Sequence, residues 1–372
     1  MKIAIYGCAD SGMRIVEELK KKEDVEQVLF IDNNVKLIGT KVEDIEVVSL
    51  YSFISMYQQN MVTQIIIPSY SISTIRTMKN DLRKNGVRPE DVLIVDTEKF
   101  IKKLKTIPKF KMYSYDKLPY LQYVSFEASE ICNMNCKRCD HFSNLKDENN
   151  CENIAEFEEN VKLLASKIES IGTFSFLGGE PLLNDELDKF LFVVKRYFPE
   201  TQIIILTNGI LLKQMTDKLI QAIKDTNTLV KMTLYPPLKG KIDELVDFMR
   251  KKEIGFEISK VVDEFWTQIN IEGNTNAVKM LNRCVNSDCV LFKRGKLSKC
   301  PITMNSEVFN KYFNEKIPQD IIDLKCSSVE DISKYLFNPI STCAYCGYEN
   351  YFDWEQTKGK VDINEMICLK KV

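Results

Sequence analysis

Cys132-Asn133-Met134-Asn135-Cys136-Lys137-Arg138-Cys139 places three thiols in eight residues with C-x3-C-x2-C spacing. Twelve cysteines in a chain of 372 residues would produce about 0.01 such triples by chance, so the spacing has a chemical cause. Three thiolates in one short loop suit a soft metal. Two arrangements satisfy them: a structural zinc clip, or three corners of a 4Fe–4S cube whose fourth iron has no protein ligand. The second leaves a position where a cosubstrate can bind, and so makes a catalytic site. Val124–Ala128, just upstream, is β-rich and reads as a strand leading into the loop.

Downstream, Thr173–Leu177 reads as a strand that runs into Gly178-Gly179-Glu180-Pro181-Leu182. Ile203–Leu206 is another, ending in Thr207-Asn208-Gly209, and further strands are expected over 230–235 and 256–261. Amphipathic helical patterns lie between them, at about 152–170, 186–197, 213–224 and 239–252. Strands alternating with helices predict a parallel sheet. Every motif falls at the C-terminal end of a strand, where barrel active sites sit.

Cys132, Cys136 and Cys139, followed by Gly178-Gly179-Glu180-Pro181 and then Thr207-Asn208, resemble the radical S-adenosylmethionine (SAM) superfamily. The aromatic residue often found before the family's third cysteine is Arg138 here. The resemblance implies a partial TIM-type barrel over 121–275, with the three cysteines holding a 4Fe–4S cluster. It implies that Gly178, Gly179 and Glu180 meet the SAM amino group and that Thr207 and Asn208 lie beside its ribose and methionyl group. The implied chemistry is cleavage of SAM to a 5′-deoxyadenosyl radical that abstracts hydrogen from an unactivated carbon. An external donor such as flavodoxin or ferredoxin would supply the electron.

A second cysteine group follows, with Cys284, Cys289, Cys300, Cys326, Cys343 and Cys346. Val290–Lys299 reads as a hairpin turning at Gly295 and closed by Cys300, and Cys343-Ala344-Tyr345-Cys346 is C-x2-C. This order resembles the Twitch domain, the short form of the SPASM domain, and implies an auxiliary 4Fe–4S cluster on Cys284, Cys300, Cys343 and Cys346 in a domain over 276–372. Cys284 has the spacing to Gly295 that Cys289 lacks. A structural zinc held by four thiolates is the competing occupant. The cysteines left over, Cys8, Cys151, Cys289, Cys326 and Cys368, read as small buried hydrophobes, though one of them could give a hydrogen atom to a substrate radical. His141, close behind Cys139, and Tyr235, at a strand end, are the candidate acid–base groups.

The first 100 residues read differently. Lys2–Tyr6 is a strand, Gly7-Cys8-Ala9-Asp10-Ser11-Gly12 a turn, Met13–Lys22 a helix, and Val28–Asp32 a second strand ending in an acid. Strands at 65–67 and 92–95 flank a helix at 72–84. This is the order of a Rossmann-type unit, with Gly7 and Gly12 at the phosphate turn and Asp32 in the ribose position. Ala9 stands where a second glycine would let a pyrophosphate approach. The segment resembles the small nucleotide-binding-like domains of polysaccharide and sugar metabolism. Lysine-rich residues 101–120 are expected to be a linker.

The overall class is therefore α/β: a Rossmann-like domain, a partial barrel and a Cys-rich domain. With 51 basic and 53 acidic residues the charge is −2, which gives no reason to expect nucleic acid or an anionic membrane as partner. A single histidine excludes a three-His metal site. No signal-like or membrane-length apolar run is present, so a cytoplasmic setting with reduced thiols is expected. The leading function is radical SAM oxidation of a carbinol in a sugar-like or cyclitol-like small molecule, similar to 2-deoxy-scyllo-inosamine dehydrogenases. The alternatives are a sugar epimerase, a peptide-modifying enzyme, and a nucleotide-binding regulator with a structural metal.

Overall fold

A computed structural model describes residues 2–8, 10–20, 23, 25–69, 72–88, 91–94, 118–284 and 289–367. The chain divides into two compact units, Met1–Tyr115 and Asp116–Val372.

The first unit is built on β1 (Lys2–Tyr6), β2 (Gln27–Ile31), β3 (Lys41–Val42), β4 (Ile45–Val48), β5 (Gln64–Ile67) and β6 (Val92–Ile94). Their order is β3-β4-β2-β1-β5-β6, parallel throughout except for the antiparallel β3–β4 pair. Strand order reverses at β1, as expected of a doubly wound sheet. Ile3, Ile5 and Phe30 of the sheet pack with Ile15, Val16 and Leu19 of the helix Asp10–Leu19. That helix starts and ends earlier than its periodicity indicates. The helix Leu50–Gln58 was not anticipated; Ser49 caps it by accepting from the Ser52 N–H, and Phe53 is its one fully buried anchor.

A Cβ on Gly12 would stand 2.1 Å from the Gly7 carbonyl oxygen, so the helix can approach the β1 turn only without a side chain there. Gly12→Ala should cost this unit about 1–3 kcal/mol. Both tryptophans, Trp266 and Trp354, belong to the second unit. The expected result is an early urea transition in far-UV circular dichroism that tryptophan emission does not follow.

Most of the expected linker lies outside the described residues; its end, 118–120, is strand. The second unit begins with β7 (Leu118–Ser129), followed by β8 (Ile168–Gly178), β9 (Gln202–Thr207), β10 (Leu229–Met232) and β11 (Phe256–Ile258). The helices Ile154–Lys167, Leu187–Tyr197, Asp217–Asp225 and Ile242–Lys251 alternate with them. The five strands are parallel neighbours in chain order, a partial (βα) barrel. Asn153 and Glu156 form a capping box at the first of these helices.

Side chains alternate along β7. Phe126 packs outward with Phe157 and Phe190 of the helices. Ser125, Glu127 and Ser129 take the other face, and all three are buried. Polar groups are thereby placed inside the barrel.

The expected C-terminal domain is not a separate compact unit. β13 (Cys289–Lys293) pairs in parallel with β7 and extends the barrel sheet, and β14 (Lys296–Ser298) and β15 (Ile322–Asp323) add antiparallel strands. Arg294 and Gly295, with φ of 50° and 71°, form the hairpin turn that a two-residue connection requires. β12 (Glu264–Ile269) and β16 (Cys346–Asp353) make a small antiparallel sheet. Among the described residues no helix is long and apolar enough to cross a membrane.

Candidate active site

The cysteine loop leaves the C-terminal end of β7 and bends through three left-handed residues, Asn135, Arg138 and Phe142. The Met134 N–H reaches the Cys132 Sγ at 3.4 Å, and the Trp354 Nε1–H reaches the Cys136 Sγ at 3.3 Å. Arg138 lies over the Phe352 ring at 3.7 Å from its centroid, and its backbone N–H donates to Glu365 O at 2.9 Å. The far C-terminal segment thus closes over the loop, a contact across more than two hundred residues that no local pattern announces.

All three thiols are raised. Burial, and then the charge of Cys139, push Cys136 up. Burial and then Asp140 raise Cys139 to about 11, with Cys132 adding to the shift. Burial raises Cys132 too. Raised thiols gathered in one place are suited to a cationic group that would ionise them. Among the described residues, no three metal-ligating side chains converge tightly enough to chelate one ion. The thiols instead border a cavity of about 460 Å³.

Gly178, Gly179, Thr207 and Asn208 border the same cavity. The two glycines answer to packing. The Gly179 N–H donates to Ser129 O at 2.7 Å, and the Glu180 N–H to Ile131 O at 2.9 Å. A Cβ on Gly179 would meet Ile131 O at 1.9 Å.

Glu180 does not line the cavity. Its carboxylate is fully buried behind the wall, where it accepts from Thr207 Oγ1 at 2.7 Å, the Asn208 N–H at 2.9 Å and the Leu182 N–H at 3.2 Å. These donors are uncharged, and burial raises its pKa in spite of them. Its visible work is to fix the Thr207–Asn208 strand end. Asn208 Nδ2 then donates to Asn133 Oδ1 at 2.7 Å, tying that end to the cysteine loop.

His141 and Tyr235 also border the cavity. His141 Nδ1 stands 2.6 Å from Glu127 Oε1, and its Nε2 is 3.8 Å from Asp140. Tyr235 is stacked on Trp354, with centroids 5.5 Å apart, and edge-on to Phe265. Burial, and then the charge of Cys136, push its phenol well above the ordinary range.

Sequence reasoning missed the polar cluster behind His141. Glu127, fully buried, accepts from Lys293 Nζ at 2.8 Å and from Asn305 Nδ2 at 2.6 Å. Lys146 stands 3.8 Å away, and Lys293 also meets Glu130 at 2.5 Å. Desolvation alone would raise the Glu127 pKa, but Lys293 and Lys146 bring it well below the carboxylate range. The alternation of β7 was the available signal, since it places Glu127 on the inner face.

In the second cysteine group, burial and then the charges of Cys284 and Cys346 raise Cys300, so these three thiols are neighbours. Cys300 caps the helix Pro301–Phe313, and Cys343 lies on the turn Ser341–Tyr345 just before Cys346. Cys289 stands apart in β13, with its Sγ 3.0 Å from Ser125 Oγ. Cys289 and Cys300 both border the large cavity. Cys326 is exposed, and Cys368 lies outside the described residues.

In the first unit, Gly7 has φ +113° and its N–H donates to Ile31 O at 2.7 Å. Asp32 accepts from the Cys8 N–H at 3.2 Å, the Cys8 thiol at 3.1 Å and the Asn34 N–H at 2.8 Å. Burial raises its pKa, but these donors outweigh it and the net shift is downward. The acid expected at a ribose is thus engaged by its own loop.

Residues 126–258 match the radical SAM superfamily model. The chain is 34% identical over 113 residues to the GTP 3′,8-cyclase of Sulfurimonas denitrificans, covering 29% of this chain and 33% of that protein. It is 27% identical over 179 residues to the enzyme of the same name from Nautilia profundicola, covering 47% and 54%. The chain therefore spans about a third to a half of these relatives. Among solved structures it is similar to BtrN in complex with AdoMet and 2-DOIA, at 20% identity and TM-score 0.40, covering 63% of this chain and 95% of that one. The matched span holds the cysteine loop, the Gly-Gly-Glu-Pro turn and the Thr-Asn-Gly strand end on one parallel sheet, and this part of the chain is a radical SAM domain.

Proposed function

We propose that the protein is a radical SAM oxidoreductase that withdraws two hydrogens from a polar, sugar-like or cyclitol-like small molecule. The observation that supports this reading is the second thiol group, because Cys300 borders the same cavity as Cys132, Cys136 and Cys139. When bound, SAM and two 4Fe–4S clusters would supply reductive cleavage of the cosubstrate, hydrogen-atom abstraction, and a nearby one-electron acceptor.

The chain's own residues bind and enclose. Cys132, Cys136 and Cys139 would hold the first cluster, and Cys284, Cys300, Cys343 and Cys346 the second. Gly178, Gly179, Thr207 and Asn208 shape the wall against which SAM would lie, with Glu180 bracing the last two from behind. Tyr235, Phe265 and Trp354 exclude water from the thiols. The electron would come from a flavodoxin- or ferredoxin-like donor. The doubly wound first unit supports a nucleotide-sugar setting.

Anaerobic reconstitution should yield about eight irons and eight sulfides per chain, falling to about four in Cys300→Ala. Product mass in deuterated solvent then decides the reaction. Loss of two hydrogens supports oxidation, whereas deuterium at carbon identifies an epimerase. Consumption of GTP to a cyclised product would replace this reading with the relatives' named reaction. Trp354→Phe removes the indole N–H from Cys136 and should lower the first cluster's reduction potential by about 20–60 mV, the equivalent of one net hydrogen bond. Equilibrium redox titration reads it.

A further inference from the structure

Asn305 and Glu127 join the two thiol groups through one buried set of bonds. Asn305 stands on the helix Pro301–Phe313 that Cys300 caps, and it is 2% exposed. Its Nδ2 donates to Glu127 Oε1 at 2.6 Å, and its Oδ1 accepts from Lys146 Nζ at 3.0 Å and Lys293 Nζ at 3.3 Å. The same Glu127 oxygen stands 2.6 Å from His141 Nδ1. His141 and Lys146 belong to the loop that carries Cys139; Asn305 and Lys293 flank Cys300. Both polar atoms of the Asn305 amide are used, and its loop-side partner, Lys146, follows Cys139 by seven residues.

Burying two carboxylates and two ammonium groups carries a desolvation cost of several kcal/mol per ion, and well-packed apolar residues would often be as stable. What such a cluster adds is a fixed register, because each partner admits few alternative positions. We propose that Glu127 and Asn305 are positioning residues that lock the Cys139 loop to the Cys300 helix, so that the first thiol set is held in place from the second. The inference rests on the proposed thiol assignments. It concerns how the two groups are joined, and it holds whichever substrate is used.

The test uses the full chain, reconstituted anaerobically, with Asn305→Leu and Glu127→Gln. The readout is the reduced EPR signal that responds to added SAM, together with its rate of loss to the iron chelator bathophenanthroline. The Asn305 amide bonds Glu127, Lys146, Lys293 and the Pro301 carbonyl, yet Asn305→Leu should broaden the SAM-responsive signal and speed its loss about threefold to tenfold, the factor carried by one net hydrogen bond. Glu127→Gln should act in the same direction. If Asn305→Leu does not fold, Glu127→Gln decides. An unchanged signal and loss rate, even with a lower melting temperature, would mean that the cluster only fills the core and would overturn the proposal. A wild-type content of about four irons would instead remove the second cluster from the proposed function, while the SAM-responsive signal would still test the lock.

Discussion

Alanine at Cys132, Cys136 or Cys139 should lower SAM cleavage by more than about a hundredfold. Loss of an outer-shell partner alone can cost a metal site ten- to a hundredfold, and each of these thiols is proposed as a direct ligand. The three line one cavity, and the charges of Cys139 and Cys132 raise Cys136; removing any of them leaves two thiols that cannot hold three corners of a cube. The measurement is 5′-deoxyadenosine release beside iron content. Iron should fall with activity in all three variants, while Cys151→Ala should keep both, since the Cys151 thiol donates to the Glu127 carbonyl and Asn149 Oδ1 and is not among the residues that line the cavity. Full activity in any triad variant would contradict the assignment.

Gly179→Ala carries the largest expected effect on folding. A Cβ there would stand 1.9 Å from Ile131 O and 2.3 Å from its carbonyl carbon, and backbone atoms cannot rotate away as a side chain can. Either the Gly-Gly-Glu-Pro turn or the start of the cysteine loop must move, breaking the Gly179-to-Ser129 and Glu180-to-Ile131 bonds. A cost of about 3 kcal/mol or more is expected, at the upper end for overpacking. Tryptophan emission in urea reads it, because both tryptophans lie in this unit. The first unit's transition should not change.

The chemistry-bearing motifs were legible because each is short and sits on a strong local signal. The C-x3-C-x2-C loop, the Gly-Gly-Glu-Pro turn and the Thr-Asn end each follow an apolar β run, and the amphipathic stretches between them became helices. The Gly295 turn was readable for the same reason. The contacts that complete the site were not readable. Trp354 reaches Cys136 across 218 residues, and Lys293 reaches Glu127 across 166. Neither pairing leaves a periodic trace. Glu180 shows how local the motif is: a carboxylate beside two glycines reads as a ligand contact, and only the seating of the turn on Ile131 reveals that its oxygens turn inward to Thr207 and Asn208. At 276 the composition changes while the sheet continues into β13.

That continuation has a practical consequence. β13 covers the flank of β7 with ladder bonds from Cys289 to Phe292. A protein cut off after the fifth barrel strand would leave this flank bare along Tyr123–Phe126, where outward-pointing backbone groups would be open to any passing chain. Such fragments should clump rather than behave as free-standing cores, so attempts to trim this protein to a minimal form must retain the hairpin.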